Sequence, residues 1–188
     1  MGGAPHRDLF GRVICVDHDH VLISDGVIGL RPIQVGDART HLAAEDAASA
    51  RWRGGAAETL ERVVEHFREC EQEWAVDGPG KTFAVVDLAS ATVIGTLDIH
   101  TERAYLAARQ ADVGYGIYPA WRRRGMAARA VVLACRYIAG RDLADEAVLR
   151  IDPDNTASVS VAHRVGFGYH HSTDDAEHGR LDWFIQAV

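Results

Sequence analysis

One stretch of the chain, VGYGIYPAWRRRGMA at Val113 to Ala127, is the most informative about the fold. It begins inside a predicted strand over Asp112 to Tyr118, which Pro119 stops because proline cannot donate a hydrogen bond to a sheet. From Met126 to Ala139 the chain is rich in alanine and other strong helix formers. The stretch therefore predicts a strand, a short arginine-rich loop and a helix, in that order.

The loop between this strand and helix has the chemistry of an anion site. The first N–H groups of a helix have no partner inside the helix, and the positive end of the helix dipole lies there. Gly125 and the small Ala127 leave the main chain open to an anion, and Arg122, Arg123 and Arg124 add positive charge. The pattern favours a phosphate site. From charge alone, a solvated helix start is the slightly better interpretation.

The other elements follow from periodicity and from the glycines and prolines between them. Helices are predicted from Asp37 towards Asp46, over Glu58 to Trp74 and from Asn155 to Val165. Strands are predicted at Val27 to Ile33, Thr82 to Leu88, Thr92 to His100, Ala147 to Ile151, Gly168 to Ser172 and Leu181 to Val188, with a polar loop at Thr173 to Arg180. This order predicts a mixed α/β sheet covered by helices, in one domain spanning residues 1–188. Residues 1–25 match no pattern and are a possible N-terminal extension.

Composition excludes several classes of protein. The 188 residues are 47% apolar and 25% charged, which is ordinary for a globular domain. No apolar run is long enough for a membrane span or a signal peptide, so we expect a cytoplasmic protein. The net charge of −7 argues against partners such as nucleic acid or an anionic membrane. The three cysteines form no CxxC pair, which favours reduced thiols.

Two histidine-rich segments raise the possibility of a metal site. The segment DHDH at residues 17–20 and the pair His170 and His171 offer oxygen and nitrogen ligands of the kind that zinc uses. Alternation along a strand already places His18 and His20 on one face, and nothing in the sequence supplies a third ligand. We therefore expect no metal.

Two motifs carry a resemblance to a known family. Arg122, Gly125 and Ala127 fit the pattern Gln/Arg-x-x-Gly-x-Gly/Ala, which resembles the cofactor-binding motif of the GNAT superfamily of N-acetyltransferases. Downstream, the segment from Asn155 to Phe167 is similar to the Asn-x-x-Ser-x-x-Val helix and hydrophobic-Gly-Phe ending of the RimJ/RimL-like branch, the ribosomal-protein N-terminal acetyltransferases. The resemblance extends from about Leu30 to the C-terminus.

The resemblance implies a GNAT-like fold, a mostly antiparallel sheet with two splayed strands, and acetyl-CoA as cosubstrate. The pantetheine arm would lie in the gap between Val113 to Ile117 and the next strand, where Gly114 and Gly116 leave room for it. Tight packing of these glycines against a helix is the alternative. Asn155 would bond to the pantetheine amides or act only as a helix cap. The implied cofactor-binding residues are Val113, Gly114, Tyr115, Ile117, Arg122, Arg123, Arg124, Gly125, Met126, Ala127, Ala128, Asn155 and Ser158.

For catalysis the resemblance implies direct attack of an amine in a ternary complex, with the oxyanion held by main-chain N–H groups near Val113 to Tyr115. Ser158 would protonate the leaving thiolate, or would merely cap its helix. The branch's alternative acid, a tyrosine, is replaced here by Ala162. For the proton acceptor we rank Asp112 first, Asp98 second and His100 third, with a water relay also possible.

The acceptor is expected to be a primary amine, either a protein N-terminus or a small molecule. An aminoglycoside- or polyamine-type acceptor and a non-catalytic acyl-CoA-binding module remain as alternatives. Carboxylates in two stretches, residues 37–53 and 173–182, predict acidic walls that would attract a cationic acceptor. The protein would be a monomer or a homodimer.

Overall fold

The computed structural model describes residues 6–7, 13–14, 23–44, 46, 59–175 and 179–188. Within them the strands are β1 His6–Arg7, β2 Val13–Ile14, β3 Ile23–Ser24, β4 Ile28–Pro32, β5 Gly80–Asp87, β6 Thr92–His100, β7 Gln110–Ile117, β8 Glu146–Ile151, β9 Gly168–Asp175 and β10 Gly179–Ala187. The α-helices are α1 Ala38–Ala43, α2 Leu60–Ala75, α3 Met126–Gly140 and α4 Thr156–Arg164, and short 3-10 turns lie at Val35–Asp37 and Pro119–Trp121. No helix in these ranges combines the length and the apolar character that crossing a membrane requires.

Eight strands form one sheet in the order β3-β4-β5-β6-β7-β8-β10-β9. All neighbouring pairs are antiparallel except β7 and β8, which are parallel. The predicted mixed α/β sheet, mostly antiparallel and flanked by helices, is therefore confirmed. Strands β1 and β2 pair only with each other, whereas β3 already belongs to the main sheet. The main sheet thus begins slightly before the predicted end of the extension at residue 25.

The parallel pair β7 and β8 is joined over three residue pairs only. Gln110 lies opposite Glu146, and the last pair joins Asp112 and Val148. Beyond that point β7 continues to Ile117 and β8 to Ile151 with no further pairing between them. A wedge-shaped gap therefore opens between the two strands, as the family resemblance implied.

Arg109 fastens the closed end of this gap. Its carbonyl accepts the N–H groups of Asp145 at 2.8 Å and Glu146 at 3.2 Å. Its guanidinium contacts the carboxylates of Asp142 at 2.6 Å and Asp145 at 2.7 Å. Gln110 adds a side-chain hydrogen bond of 2.9 Å to Glu146. The strands are thus held together at one end and free to separate towards Ile117.

The two faces of the sheet carry separate apolar clusters. Helices α3 and α4 cover the face on which the larger cluster lies, and this cluster includes Val113 of β7 and Leu149 of β8. Helix α2 packs over β5 on the other face, where Phe67 and Ala84 belong to the smaller cluster. On that second face Gly114 of β7 is exposed. The residues of β6 and β7 that point to the second face can therefore meet a substrate.

A β-bulge in β6 brings two backbones unusually close. The pairing of β5 with β6 shifts from Val85 opposite Gly95 to Val86 opposite Val93, so Ile94 is an extra residue. A Cβ atom added to Gly95 would lie 2.2 Å from the carbonyl oxygen of Gly116. Only glycine fits at position 95, because any side chain would push β6 away from β7.

Two local predictions were wrong. Asp37 stands at the N-cap position of α1 but makes no capping hydrogen bond there, because its carboxylate pairs with Arg31 at 2.7 Å and accepts the N–H of Gln34 at 2.9 Å, closing the preceding 3-10 turn. The polar stretch predicted as a loop at Thr173 to Arg180 is mostly strand, because β9 and β10 pair as far as Asp175 and Gly179. Polar residues are tolerated there since β9 is an edge strand.

We expect Gly95→Ala to destabilise the protein by about 1–3 kcal/mol, the usual cost of forcing extra atoms into a packed site. Urea unfolding would measure the change. Gly114→Ala is the matched control on the partner strand, because its Cβ would lie 3.8 Å from the nearest atoms of Asp98, an ordinary contact. Equal stability of the two variants would show that the close approach at Gly95 is easily relieved.

Candidate active site

Main-chain N–H and C=O groups form the edge of β7 that faces the gap. Tyr118 donates its N–H to Ile94 at 2.8 Å, and the carbonyl of Gly116 points towards β6. Because main-chain groups alternate along a strand, those of Val113, Tyr115 and Ile117 point the other way, into the gap. From Asp112 to Ile117 this edge runs for about 17 Å. The gap can therefore hold an extended ligand that bonds to main-chain N–H and C=O groups.

The open end of the gap leads to the loop before α3. Arg123 and Gly125 both have left-handed backbones, with φ of 58° and 78°. Arg129 donates its N–H to Gly125 at 3.1 Å in the first turn of α3. The N–H groups of Met126 to Ala128 precede that bond and lie at the positive end of the helix. Apart from the adjoining residues of its own chain segment, no atom of the described residues lies within 4 Å of a Cβ placed on Gly125, so this loop has room for an anion.

Three arginines near this loop have different surroundings. Arg122 forms a two-pronged ion pair with Asp46, at 2.7 and 2.9 Å, and donates its Nε–H to Ile117 O at 2.8 Å. Its guanidinium therefore fixes the shape of the loop from within the protein. Arg123 and Arg124 are exposed, and Arg124 lies over the ring of Trp121. The positive charge that a ligand would meet comes from these two.

The start of α4 lies across the gap from β7. Asn155 caps this helix, because its side chain accepts the N–H of Ser158 at 3.2 Å. The alternative that Ser158 is the cap is therefore wrong. Tyr115 donates its hydroxyl to the carbonyl of Ser158 at 3.5 Å, and burial raises the pKa of this tyrosine. The structure thus brings Ser158 and Tyr115 together, each from one wall of the gap.

The three candidate proton acceptors meet on the second face of the sheet, where the gap begins. His100 lies opposite Asp112, and Asp98 lies opposite Gly114. The carboxylate of Asp98 accepts the hydroxyl of Thr82 at 2.7 Å. Alternation along the strands predicts this grouping, and the register confirms it.

The carboxylate of Asp112 belongs to a cluster that the sequence did not reveal. Tyr105 donates its hydroxyl to Asp112 at 2.7 Å, and burial together with this carboxylate raises the pKa of Tyr105 to about 12. The guanidinium carbon of Arg150 lies 3.5 Å from the centre of the Tyr105 ring and 5.8 Å from the centre of the Trp183 ring. Its Nε lies 4.0 Å from a carboxylate oxygen of Asp112. The sequence does contain one signal for Arg150, because it is the charged residue of the otherwise apolar segment Ala147 to Ile151.

Gly114 and Gly116 leave open surface on this face. Added Cβ atoms would lie 3.8 Å from Asp98 and 4.0 Å from Thr96, with no helix atom of the described residues among the nearest neighbours. Within this part of the chain, the two glycines therefore do not pack tightly against a helix.

The other side chains considered from the sequence lie outside the site or have partners. Cys135 packs beside the larger core cluster, and burial raises the pKa of its thiol to about 11, so it remains an unreactive thiol. His170 and His171 approach each other with Nδ1 atoms 2.8 Å apart. No group of three or more potential metal ligands occurs in the described part of the chain. The segment of residues 17–20 lies outside it.

Three carboxylates of the predicted acidic walls have internal partners. Asp37 pairs with Arg31, Asp46 with Arg122, and Asp182 with Arg180 and the hydroxyl of Ser172. Each of these carboxylates is at least partly neutralised by an internal cation. Glu45 and Glu177 fall outside the described residues.

Residues 28–168 match the family model described as an acetyltransferase (GNAT) domain. The chain belongs to the GNAT acetyltransferase family. The predicted family and the enzyme class, acetyltransferase, are thereby confirmed. No curated protein matches the sequence.

Solved structures show the same fold at low sequence identity. RimL, a ribosomal alpha-N-protein acetyltransferase in complex with coenzyme A, has a TM-score of 0.76 and 14% identity, covering 88% of this chain and 97% of that one. Ribosomal-protein-S5-alanine acetyltransferase from Vibrio fischeri has a TM-score of 0.75 and 16% identity, covering 89% of this chain and 96% of that one. RimJ from Mycobacterium smegmatis, in complex with CoA-disulfide, has a TM-score of 0.73 and 19% identity, covering 86% of this chain and 82% of that one.

We expect Gly125→Val in this GNAT protein to weaken coenzyme A binding more than tenfold, roughly 1.4 kcal/mol or more. A branched side chain would strain the left-handed backbone and fill the open space above it. Titration calorimetry would measure the affinity. Gly179→Val is the control, because Gly179 also has a left-handed backbone (φ 73°) and open space but lies in the β9–β10 hairpin. Equal effects of the two substitutions would place the phosphate site elsewhere.

Proposed function

We propose that this protein transfers an acetyl group from acetyl-CoA to a primary amine, with the α-amino group of a protein N-terminus as the preferred acceptor. The gap between β7 and β8, which leads to the N–H groups before and at the start of α3, is the observation that carries the proposal. The Asn155 to Phe167 segment and the shared fold with RimL and RimJ structures support the choice of acceptor. Such a reaction belongs in the cytoplasm.

The residues present fit acetyl-CoA. Main-chain groups of Val113, Tyr115 and Ile117 line the gap and would bond to the pantetheine amides. The N–H groups of Arg124 to Ala128 would hold the pyrophosphate, with Arg123 and Arg124 supplying charge. Acetyl-CoA supplies the acetyl group as an activated thioester. Because Asn155 already bonds to Ser158, we propose that it orders the start of α4 and contributes to the ligand only through that order.

The chain's own groups can serve each remaining need of acyl transfer. The N–H groups of Val113 and Tyr115 face the gap and would stabilise negative charge that develops on the acetyl oxygen. Ser158 would supply a proton to the departing sulfur. Asp98 and Asp112 lie on the acceptor side, so the amine would approach from the second face of the sheet. No covalent enzyme intermediate is required.

A small polycationic amine is the second candidate acceptor. Three carboxylates, those of Glu73, Asp98 and Asp112, act on His100 at the acceptor side of the gap. Such a group of negative charges would attract a polyamine or an aminoglycoside. Membership of an acetyltransferase family weighs against the third possibility, a non-catalytic module that only binds acyl-CoA.

Release of free CoA thiol would test the proposed function. The protein would be incubated with acetyl-CoA and one amine at a time, chosen from N-terminal peptides, the same peptides with blocked N-termini, polyamines and aminoglycosides. We expect turnover with free peptide N-termini and none with the blocked ones. Turnover with polyamines alone would support the second candidate, and coenzyme A binding without turnover on any amine would support the binding module.

We expect Ser158→Ala to lower kcat about a hundredfold if Ser158 donates the proton, with little change in coenzyme A affinity. The free energy of unfolding of the Ser158→Ala variant should not change, because Ser158 is not the helix cap. Asn155→Ala is the control and should lose about 1 kcal/mol of unfolding free energy. Steady-state kinetics and urea unfolding of both variants would check this. An unchanged kcat in Ser158→Ala would assign the proton to another donor.

A further inference from the structure

We propose that His100, rather than Asp112 or Asp98, takes the proton of the acceptor amine, and that the surrounding carboxylates bind this amine as an ammonium ion. The inference rests on the proposed function and identifies the residue that activates its acceptor. From the sequence alone, His100 ranks third of the three candidates.

His100 occupies the point where the gap begins. It is the last residue of β6 and pairs with Asp112, after which β7 leaves β8. Side chains opposite each other on antiparallel strands have Cβ atoms about 5 Å apart, so the imidazole and the Asp112 carboxylate are neighbours. The main-chain N–H of Val113, proposed to face the acetyl oxygen, follows immediately along β7. His100 is therefore beside the place where the new bond forms.

The imidazole is held in place by its packing. A Cβ atom on Gly80 would lie 3.3 Å from Nδ1 of His100 and 3.7 Å from Oε2 of Glu73. Gly80 of β5 thus leaves room for the ring, and Glu73 of α2 approaches the same spot. No hydrogen-bond partner of the His100 ring is found among the described residues, so its nitrogens are available to a substrate.

The charged groups around His100 come from α2, β6, β7 and the segment that follows β6. Arg103 follows β6, Glu73 lies on α2, Asp98 on β6 and Asp112 on β7. Burial lowers the pKa of His100 below its ordinary value, Arg103 lowers it further, and the three carboxylates partly oppose them. A lowered pKa favours the neutral ring, which is the form that can accept a proton.

The two aspartates are less suited to this task. Each already accepts a hydroxyl, from Thr82 at Asp98 and from Tyr105 at Asp112. General-base catalysis is most effective when the pKa of the base is near the working pH, and an imidazole, at about 6.5, is closer than an ordinary carboxylate. The aspartates can instead stabilise the imidazolium that His100 becomes, because opposite charges nearby favour the charged form.

The proposed reaction replaces the C–S bond of the thioester with a C–N bond and releases one proton. The acceptor enters as an ammonium ion, and neutral His100 takes one of its protons, which frees the nitrogen lone pair. The lone pair forms the C–N bond to the acetyl carbon while the C–S bond breaks and leaves its electron pair on sulfur. The nitrogen then loses a second proton and the sulfur gains one, for which Ser158 is the proposed relay. His100 finally releases its proton to solvent, so one proton is produced per acetyl group transferred.

Two histidine variants would test the assignment. We expect His100→Gln to lower kcat about a hundredfold or more while the affinity for coenzyme A stays unchanged. His66→Gln, on the exposed side of α2, is the matched control and should keep its rate. If His100→Gln does not fold, His100→Asn takes its place, and NMR titration of the wild-type ring gives an independent measurement. Full activity in a folded His100 variant, or an acidic limb of kcat/KM that does not follow the His100 pKa measured by NMR, would overturn the proposal.

The pH dependence of Asp112→Asn separates the two bases. With His100 as the base, kcat falls as pH drops through the pKa of His100, because the protonated ring cannot accept another proton. Removing the negative charge of Asp112 lowers that pKa further, so the acidic limb should move to lower pH and remain. If Asp112 is the base, the limb disappears instead and the proposal fails. Absence of turnover in the wild type with every amine would refute the proposed function itself, a result distinct from either of these.

Discussion

The structure depends on one incomplete interaction, the parallel pairing of β7 and β8. Three residue pairs join the strands, Arg109 fastens them at one end, and beyond Asp112 they separate. The separation exposes the main chain of Val113 to Ile117 inside the sheet, where a strand edge is normally covered. It also sets the positions of the other parts. The arginine-rich loop before α3 follows the free end of β7, α4 lies across the gap, and the three candidate proton acceptors gather where the gap begins.

Arg122 shows how the loop before α3 is connected to the rest of the domain. Its position in the Arg-x-x-Gly-x-Ala pattern suggested a direct role in attracting phosphate. In the structure its guanidinium pairs with Asp46 and Ile117, so it links the loop both to the residues that follow α1 and to the strand that lines the gap. A motif residue can thus contribute by shaping the main chain that receives the ligand, while its exposed neighbours supply the charge.

Local patterns predicted much of the fold, and tertiary pairing accounts for what they missed. The bounds of β6 and the start of α3 at Met126 agree with the prediction, because turn residues and helix formers mark them clearly. The splay came only from the family resemblance, since no periodicity shows where two strands stop pairing. The Arg122–Asp46 pair spans 76 residues, and the Tyr105, Arg150 and Trp183 cluster joins three separate segments. Such contacts leave no trace in local spacing.

The unpaired edge of β7 has a thermodynamic consequence. A sheet that contains an internal edge lacks hydrogen bonds which a bound molecule can complete, so such a molecule acts as a substitute strand. Whatever binds the folded form and not the unfolded chain adds to the free energy of unfolding, by about 2.7 kcal/mol when its concentration is a hundred times its Kd. The resistance of this domain to unfolding and to proteolysis would then rise and fall with the supply of its own cosubstrate.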